Sequence, residues 1–271
     1  MTTINEGLRQ RVRLHLDQVY EGRVDATARS ALVDTLLDEM RIAADCVSPA
    51  PHRNLWDEGE IALITYGDSV RTAAEPPLRT LRRFLDAHLR DLTPSVHILP
   101  FFPWTSDDGF AVLNYAAVNE ALGDWPDVEA IAADYRLMAD LVINHCSSRS
   151  RWFENFRQDR EPGRDYFMTE APDTDLSAVV RPRTSPLLQP VDTVAGTRHV
   201  WCTFSPDQVD FDFRNPRVLV EFVRIIRRYL DHGVRVFRLD AVAFLWKEPG
   251  TACINLPQTH ELIRLLRTLI E

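Results

Sequence analysis

The chain has 271 residues, enough to bury a sizeable core and to form one large domain or two small ones. A peptide hormone or a small disulfide scaffold is excluded. Hydrophobic residues make up 45% and charged residues 26%, a globular balance that disordered chains lack. With 40 acidic and 31 basic side chains the formal net charge is −9, which repels phosphate backbones and anionic headgroups. Neither nucleic acid nor a membrane surface is expected as a partner.

The start, Met1-Thr2-Thr3-Ile4-Asn5-Glu6, is polar with no apolar core behind it. No uncharged apolar run approaches the roughly 18 residues of a membrane span, so a cytoplasmic location is expected. From Leu8 to Tyr20, apolar residues at Leu8, Val12, Leu16 and Tyr20 keep helical spacing. A second series runs through Leu32, Val33, Leu36, Leu37 and Met40, and Glu21-Gly22-Arg23-Val24-Asp25 breaks the two into a hairpin. This helical segment is expected over 1–46. Val47-Ser48-Pro49-Ala50-Pro51-His52 follows, where two prolines forbid helix, and 47–60 reads as a linker.

From Ile61 the pattern changes to short apolar runs, each followed by an amphipathic helix: Ile61–Thr65, Val96–Leu99, Met138–Ile143 and Val234–Leu239. Such runs predict buried strands of a parallel sheet, and their alternation with helices predicts an α/β fold. The clearest helix spans about Pro216 to Asp231, with Leu219, Phe222, Val223, Ile226 and Leu230 on one face and Gly233 just beyond its end. The stretch of about 146–206, rich in Pro, Asp, Thr and Arg, reads as a small domain inserted between the third and fourth strands. Cys46, Cys146, Cys202 and Cys253 lack the close pairs of zinc or redox motifs and read as single buried thiols.

In barrels built this way chemistry sits where strands end, because loops there face a common mouth. The third strand carries Asp140 inside an apolar run and ends in Asn144-His145. Taken alone, such an Asp or His more often serves structure than catalysis. On the fourth strand Arg238 and Asp240 alternate to the same side, where the guanidinium can hold the carboxylate ionised and oriented. That arrangement suits a nucleophilic carboxylate, and equally a structural ion pair at a strand end. The second strand leads into Leu99-Pro100-Phe101-Phe102-Pro103-Trp104-Thr105-Ser106-Asp107-Asp108-Gly109-Phe110. Aromatic faces stack on sugar rings and carboxylates accept from hydroxyls, so carbohydrate fits; a packed aromatic loop under an acidic turn fits as well.

Together these segments resemble glycoside hydrolase family 13, the α-amylase family. Asp140-Leu141-Val142-Ile143-Asn144-His145 matches its first signature, Arg238-Leu239-Asp240-Ala241 its second, and Gln208-Val209-Asp210-Phe211-Asp212 the short motif closing the inserted domain. The sequence is most similar to the sucrose-phosphorylase-like subfamily, through Ile64-Thr65-Tyr66-Gly67-Asp68, Val96-His97-Ile98-Leu99-Pro100-Phe101-Phe102, Arg181-Pro182-Arg183, Val200-Trp201-Cys202-Thr203-Phe204 and Lys247-Glu248-Pro249-Gly250-Thr251. Within it, the helical front and the segments Ser106–Phe110 and Arg181–Leu187 are closest to the glucosylglycerate phosphorylases.

The resemblance implies a retaining double displacement on an α-glucoside of the sucrose or glucosylglycerate type, with inorganic phosphate as acceptor. It implies Asp240 as nucleophile, Arg238 as its orienting cation, and sugar contacts from Asp107, Phe110, His145, Phe204 and Gln208. Arg183 would meet phosphate or an anionic acceptor, and Asp140 would be structural. No metal and no cofactor is expected: Asn144 binds calcium in some amylases, yet the phosphorylase branch generally does without. Asn114 stands where many relatives carry Asp. A hydrolase or transglucosidase of the same family, or a sugar-binding remnant without turnover, remains an open alternative. Only four strands are counted, and the sequence stops within an amphipathic helix carrying Leu262, Leu265, Leu266 and Leu269. The expected fold is therefore an α-amylase-type (β/α)8 barrel truncated after about four strands. The family's acid/base Glu on the fifth strand and third carboxylate on the seventh are expected beyond Glu271, leaving turnover by this chain negligible.

Overall fold

Helix α1 (Glu6–Tyr20) buries Leu8, Val12, Leu16, Val19 and Tyr20 at the spacing that puts them on one face. Gly22, at φ +79°, turns the chain, and Asp25 caps α2 (Ala26–Glu39) by accepting from the Ala28 amide at 2.8 Å. The computed structural model describes residues 6–43, 46 and 57–271; the expected linker lies, up to residue 56, outside the described residues.

Among the described residues eight strands follow in chain order: β1 (Ala62–Thr65), β2 (Ser95–Ile98), β3 (Arg136–Val142), β4 (His145–Ser147), β5 (Leu188–Thr193), β6 (Gly196–Trp201), β7 (Gln208–Asp210) and β8 (Val234–Asp240). β1, β2, β3 and β8 pair in that order as one parallel sheet. Helices α3 (Pro77–His88), α4 (Trp125–Ala132) and, later, α6 (Pro216–Asp231) precede the second, third and last of these strands, and α7 (Pro257–Ile270) follows β8. This is the strand–helix progression of a (β/α) barrel. β2 is buried along its whole length, whereas Ile61 and Ile64 at β1 are more than half exposed and β8 is only partly covered. The expectation of buried strands thus holds inside the sheet and fails at β1 and β8, each of which, among the described residues, pairs on one side only.

Helix α6 starts at Pro216 behind the Asn215 cap and buries Leu219, Phe222, Val223 and Ile226 as expected. Tyr229, rather than the expected Leu230, completes the buried face, because its ring stacks on Phe102 with centroids 4.9 Å apart. Gly233 ends the helix at φ +88°; a Cβ there would lie 2.7 Å from that of Ala132, so both conformation and space call for glycine. The α1–α2 hairpin packs on α6 and α7 and shares their core. Tyr20 donates to the Phe213 carbonyl at 2.9 Å, and His15 meets Glu261 of α7 at 2.8 Å.

Between β3 and β8 the chain leaves the sheet. β4 and β7 pair antiparallel, His145 opposite Asp210, so the excursion departs and returns beside the end of β3. It holds α5 (Arg151–Arg157), the β5–β6 hairpin, and a small core of Met168, Val179, Leu187 and Trp201 with Cys253.

Phe222 is fully buried and its ring meets Tyr115, Phe211 and Phe213. Phe222→Ala is therefore expected to cost about 3–5 kcal/mol in urea unfolding. Leu14→Ala, at an exposed position of α1, should change stability by less than about 0.5 kcal/mol. Equal effects of the two would contradict this core.

Candidate active site at the strand ends

Parallel register sets Asp140 of β3 opposite Arg238 of β8, and Val142 opposite Asp240. Arg238 bonds the Asp140 carboxylate through Oδ1 and reaches Asp240 Oδ1 at 3.2 Å. From β2, His97 Nε2 meets Asp140 Oδ2 at 2.7 Å. Asp140 has no exposed surface, so these two contacts stand in for water. The guanidinium also lies over the Phe110 ring, 5.5 Å from its centroid.

The Arg238–Asp240 pairing expected from strand alternation is present, with one correction. Arg238 serves two carboxylates, and burial, reinforced by the Asp140 charge, lifts Asp240 above the usual carboxylate range despite the opposing pull of His145 and Arg238. Ala241, next along, sits at φ +52°, and Asp107 and Asp108 at +58° and +49°. Left-handed backbone at such residues costs on the order of 1–3 kcal/mol each and concentrates at functional sites.

The loop after β2 divides between the two readings open to its sequence. Phe101 and Phe102 are buried and pack together, 4.3 Å between centroids, whereas Phe110 faces the Arg238 guanidinium. Asp107 Oδ2 accepts from Gln208 Nε2 at 2.9 Å, and that amide lies 3.2 Å from His145 Nε2. His145 Nε2 is also 3.1 Å from the Phe110 carbonyl, and its ring lies 5.2 Å from Phe204, which meets Phe244 edge-on. Burial pushes His145 below its usual range and favours the neutral ring. The fold thus brings together Asp107, Phe110, His145, Phe204, Gln208, Arg238 and Asp240. Arg183 stands apart on the excursion: it is exposed, and its guanidinium bonds the neighbouring Pro182 carbonyl at 3.3 Å.

Several contributors were not among the site residues expected from the sequence. Asp207 accepts from Thr105 at 2.5 Å, Ser106 at 2.6 Å and Ser148 at 2.7 Å, tying the β2 loop to the base of the excursion. Burial alone would raise this carboxyl; the hydroxyls of Ser106, Thr105 and Ser148 outweigh it and hold it below the usual range. Lys247 is buried after β8, its ammonium 3.1 Å from Asp210 Oδ2, 2.9 Å from Asn144 Oδ1 and 2.7 Å from the Phe244 carbonyl. Asn144, where no metal was expected, turns its amide oxygen to this cation. Tyr115 places its hydroxyl 2.8 Å from the carbonyls of Val142 and His145, fixing the turn out of β3. The resulting site offers an oriented carboxyl group at an open strand end, a buried imidazole, an aromatic face and hydrogen-bonding side chains.

Residues 88–271 match the family model described as alpha amylase, catalytic domain. The glucosylglycerate phosphorylase of Allomeiothermus silvanus is 43% identical over 273 aligned positions, covering 100% of this chain and 47% of that protein. The glucosylglycerate phosphorylase of Spirochaeta thermophila is 49% identical over 215, covering 79% of this chain and 37% of that protein. Among solved structures, sucrose 6F-phosphate phosphorylase from Thermoanaerobacter thermosaccharolyticum superimposes with a TM-score of 0.72 at 28% identity, covering 80% of this chain and 46% of the other. The chain spans about half the length or less of the curated relatives it matches. It belongs to the α-amylase family.

Proposed function

We propose that this chain carries the nucleophile and glucosyl-binding side of a phosphorylase acting on an α-glucoside of the glucosylglycerate or sucrose type. One observation carries the reading: Asp240, oriented by Arg238 beside the buried His145, ends a strand in a chain 43% identical to a glucosylglycerate phosphorylase. In the proposed first step an Asp240 oxygen attacks the anomeric carbon while the bond to the glycosidic oxygen breaks and that oxygen takes a proton from a general acid. A phosphate oxygen then displaces the carboxylate, giving glucose 1-phosphate with its configuration retained. Asp107, His145 and Gln208 accept or donate to sugar hydroxyls, and Phe110 and Phe204 flank the ring. Arg183 is the cation proposed for phosphate or an anionic acceptor, since a guanidinium fork matches such oxygens.

We also read 1–46 as a helical lead, 47–60 as a linker and 61–271 as a barrel portion with an insertion at about 146–206; the return of β7 beside β4 supports this last boundary. No described helix is long and apolar enough to cross a membrane. The cysteines are unpaired, which fits a cytoplasmic enzyme.

An α-glucosyl fluoride tests the nucleophile, because fluoride departs with little help from a proton donor. Mass spectrometry is expected to find a glucosyl adduct on Asp240, absent from Asp240→Asn. Adduct formation should fall as pH drops through the raised range of Asp240, since only the carboxylate attacks. Inorganic phosphate should release glucose 1-phosphate from the adduct, and Arg183→Ala should slow this release without slowing adduct formation. An adduct on another carboxylate would refute the assignment of Asp240. Release to water alone would favour the hydrolase, and saturable sugar binding without an adduct the non-catalytic reading.

Asp107→Asn removes a charged acceptor of the sugar pocket, and bonds to charged groups contribute about 1.5–3 kcal/mol. Calorimetric affinity for glucose should therefore fall on the order of tenfold to hundredfold. An unchanged affinity would remove Asp107 from the pocket.

A further inference from the structure

The Arg238 guanidinium is claimed by two carboxylates, and the balance between them is set on the far side of Asp140. Asp140 is fully buried, so both of its oxygens need donors. Oδ1 has Arg238, and Oδ2 has His97 Nε2 at 2.7 Å from the adjacent strand. We propose that His97 is a positioning residue: by occupying Oδ2 of Asp140 it restricts Arg238 to a single bond there and leaves the guanidinium in reach of Asp240.

Without the imidazole, Oδ2 is a buried carboxylate oxygen with no partner. The donor at hand is the Arg238 fork, whose geometry serves both oxygens of one carboxylate at once. Turning to Asp140 in that way withdraws it from Asp240, 3.2 Å away on the other side. An opposite charge at this range lowers a carboxyl pKa by roughly 1–3 units, so its withdrawal leaves Asp240 protonated to higher pH. The groups facing Asp240 are Arg238 on its own strand, Asp140 on β3 and His145 at the start of β4. His145 is itself faced by Asp210 on β7 and by Lys247 after β8. Asp140 also faces Tyr66, just past β1, where the Asp107 and Asp108 charges are felt as well. None of these supplies Asp140 Oδ2, so the contact with His97 has no substitute among the described residues.

The inference deepens the proposed role of Asp240, yet its test reads the carboxyl itself, so it can fail while the phosphorylase reading stands, and the reverse. The Asp240 carboxyl carbon is titrated by 13C NMR in the full chain, with Asp240→Asn assigning the signal. In His97→Met, of similar length but without a donor, the midpoint is expected to rise by about one unit. In His97→Gln, whose amide nitrogen can replace Nε2, it should stay within about 0.3 units of the parent. A midpoint unmoved in a folded His97→Met, or moved equally in both variants, overturns the proposal; a merely structural histidine gives the first of these results. Should His97→Met not fold, the 15N spectrum of the parent imidazole decides: a proton on Nε2 supports the proposal, and a bare Nε2 overturns it.

Discussion

The carboxylate of Asp140 has no access to water, and the geometry of the strand ends follows from that. A buried charge must find donors within the protein, and here they come from the strands on either side, His97 from β2 and Arg238 from β8. The polar chain therefore crosses three adjacent strands, with Asp140 opposite Arg238 and His97 two positions earlier in the register. It fixes Arg238, and Arg238 in turn reaches Asp240 and covers the Phe110 ring. A carboxylate in the strand thus couples sheet register to the orientation of the group proposed to do chemistry.

A half-buried carboxylate and a buried ammonium hold the surroundings of this chain in place. Asp207 gathers the hydroxyls of Thr105, Ser106, Ser147 and Ser148 and pins the strained Asp107–Asp108 turn against the base of the excursion. Lys247 joins Asp210 of β7, Asn144 beside β4 and the Phe244 carbonyl after β8. Three segments remote in sequence are thereby fastened around His145. Breaking one member of such a network leaves the others buried and unpaired, which is why local substitutions here act at a distance.

Much of the fold is legible in the residues. The spacing of Leu8, Val12 and Leu16, the helix start at Pro216 and the stop at Gly233 each follow from backbone hydrogen bonding and side-chain packing over one or two turns. The apolar runs mark all four parallel strands to within a residue or two. They could not say which strands lie at an edge, because burial of a strand is a property of its neighbours; hence Ile61 and Ile64 are exposed. Tyr229 replaced Leu230 on the buried face of α6 for the same reason: the partner that makes the difference, Phe102, lies over a hundred residues away.

For the site, the sequence by itself determined the two-residue alternation that puts Arg238 and Asp240 on one side, and the motifs that link Asp107, Phe110, His145, Phe204 and Gln208 to one family. Tertiary structure decided how the charge of Arg238 is shared, that burial outweighs it at Asp240, and that His97, Asp207 and Lys247 belong to the same polar framework. The physical reason is range. Alternation and capping act between residues a few positions apart, whereas desolvation and charge pairing depend on what the fold brings within about 3 Å from any distance along the chain.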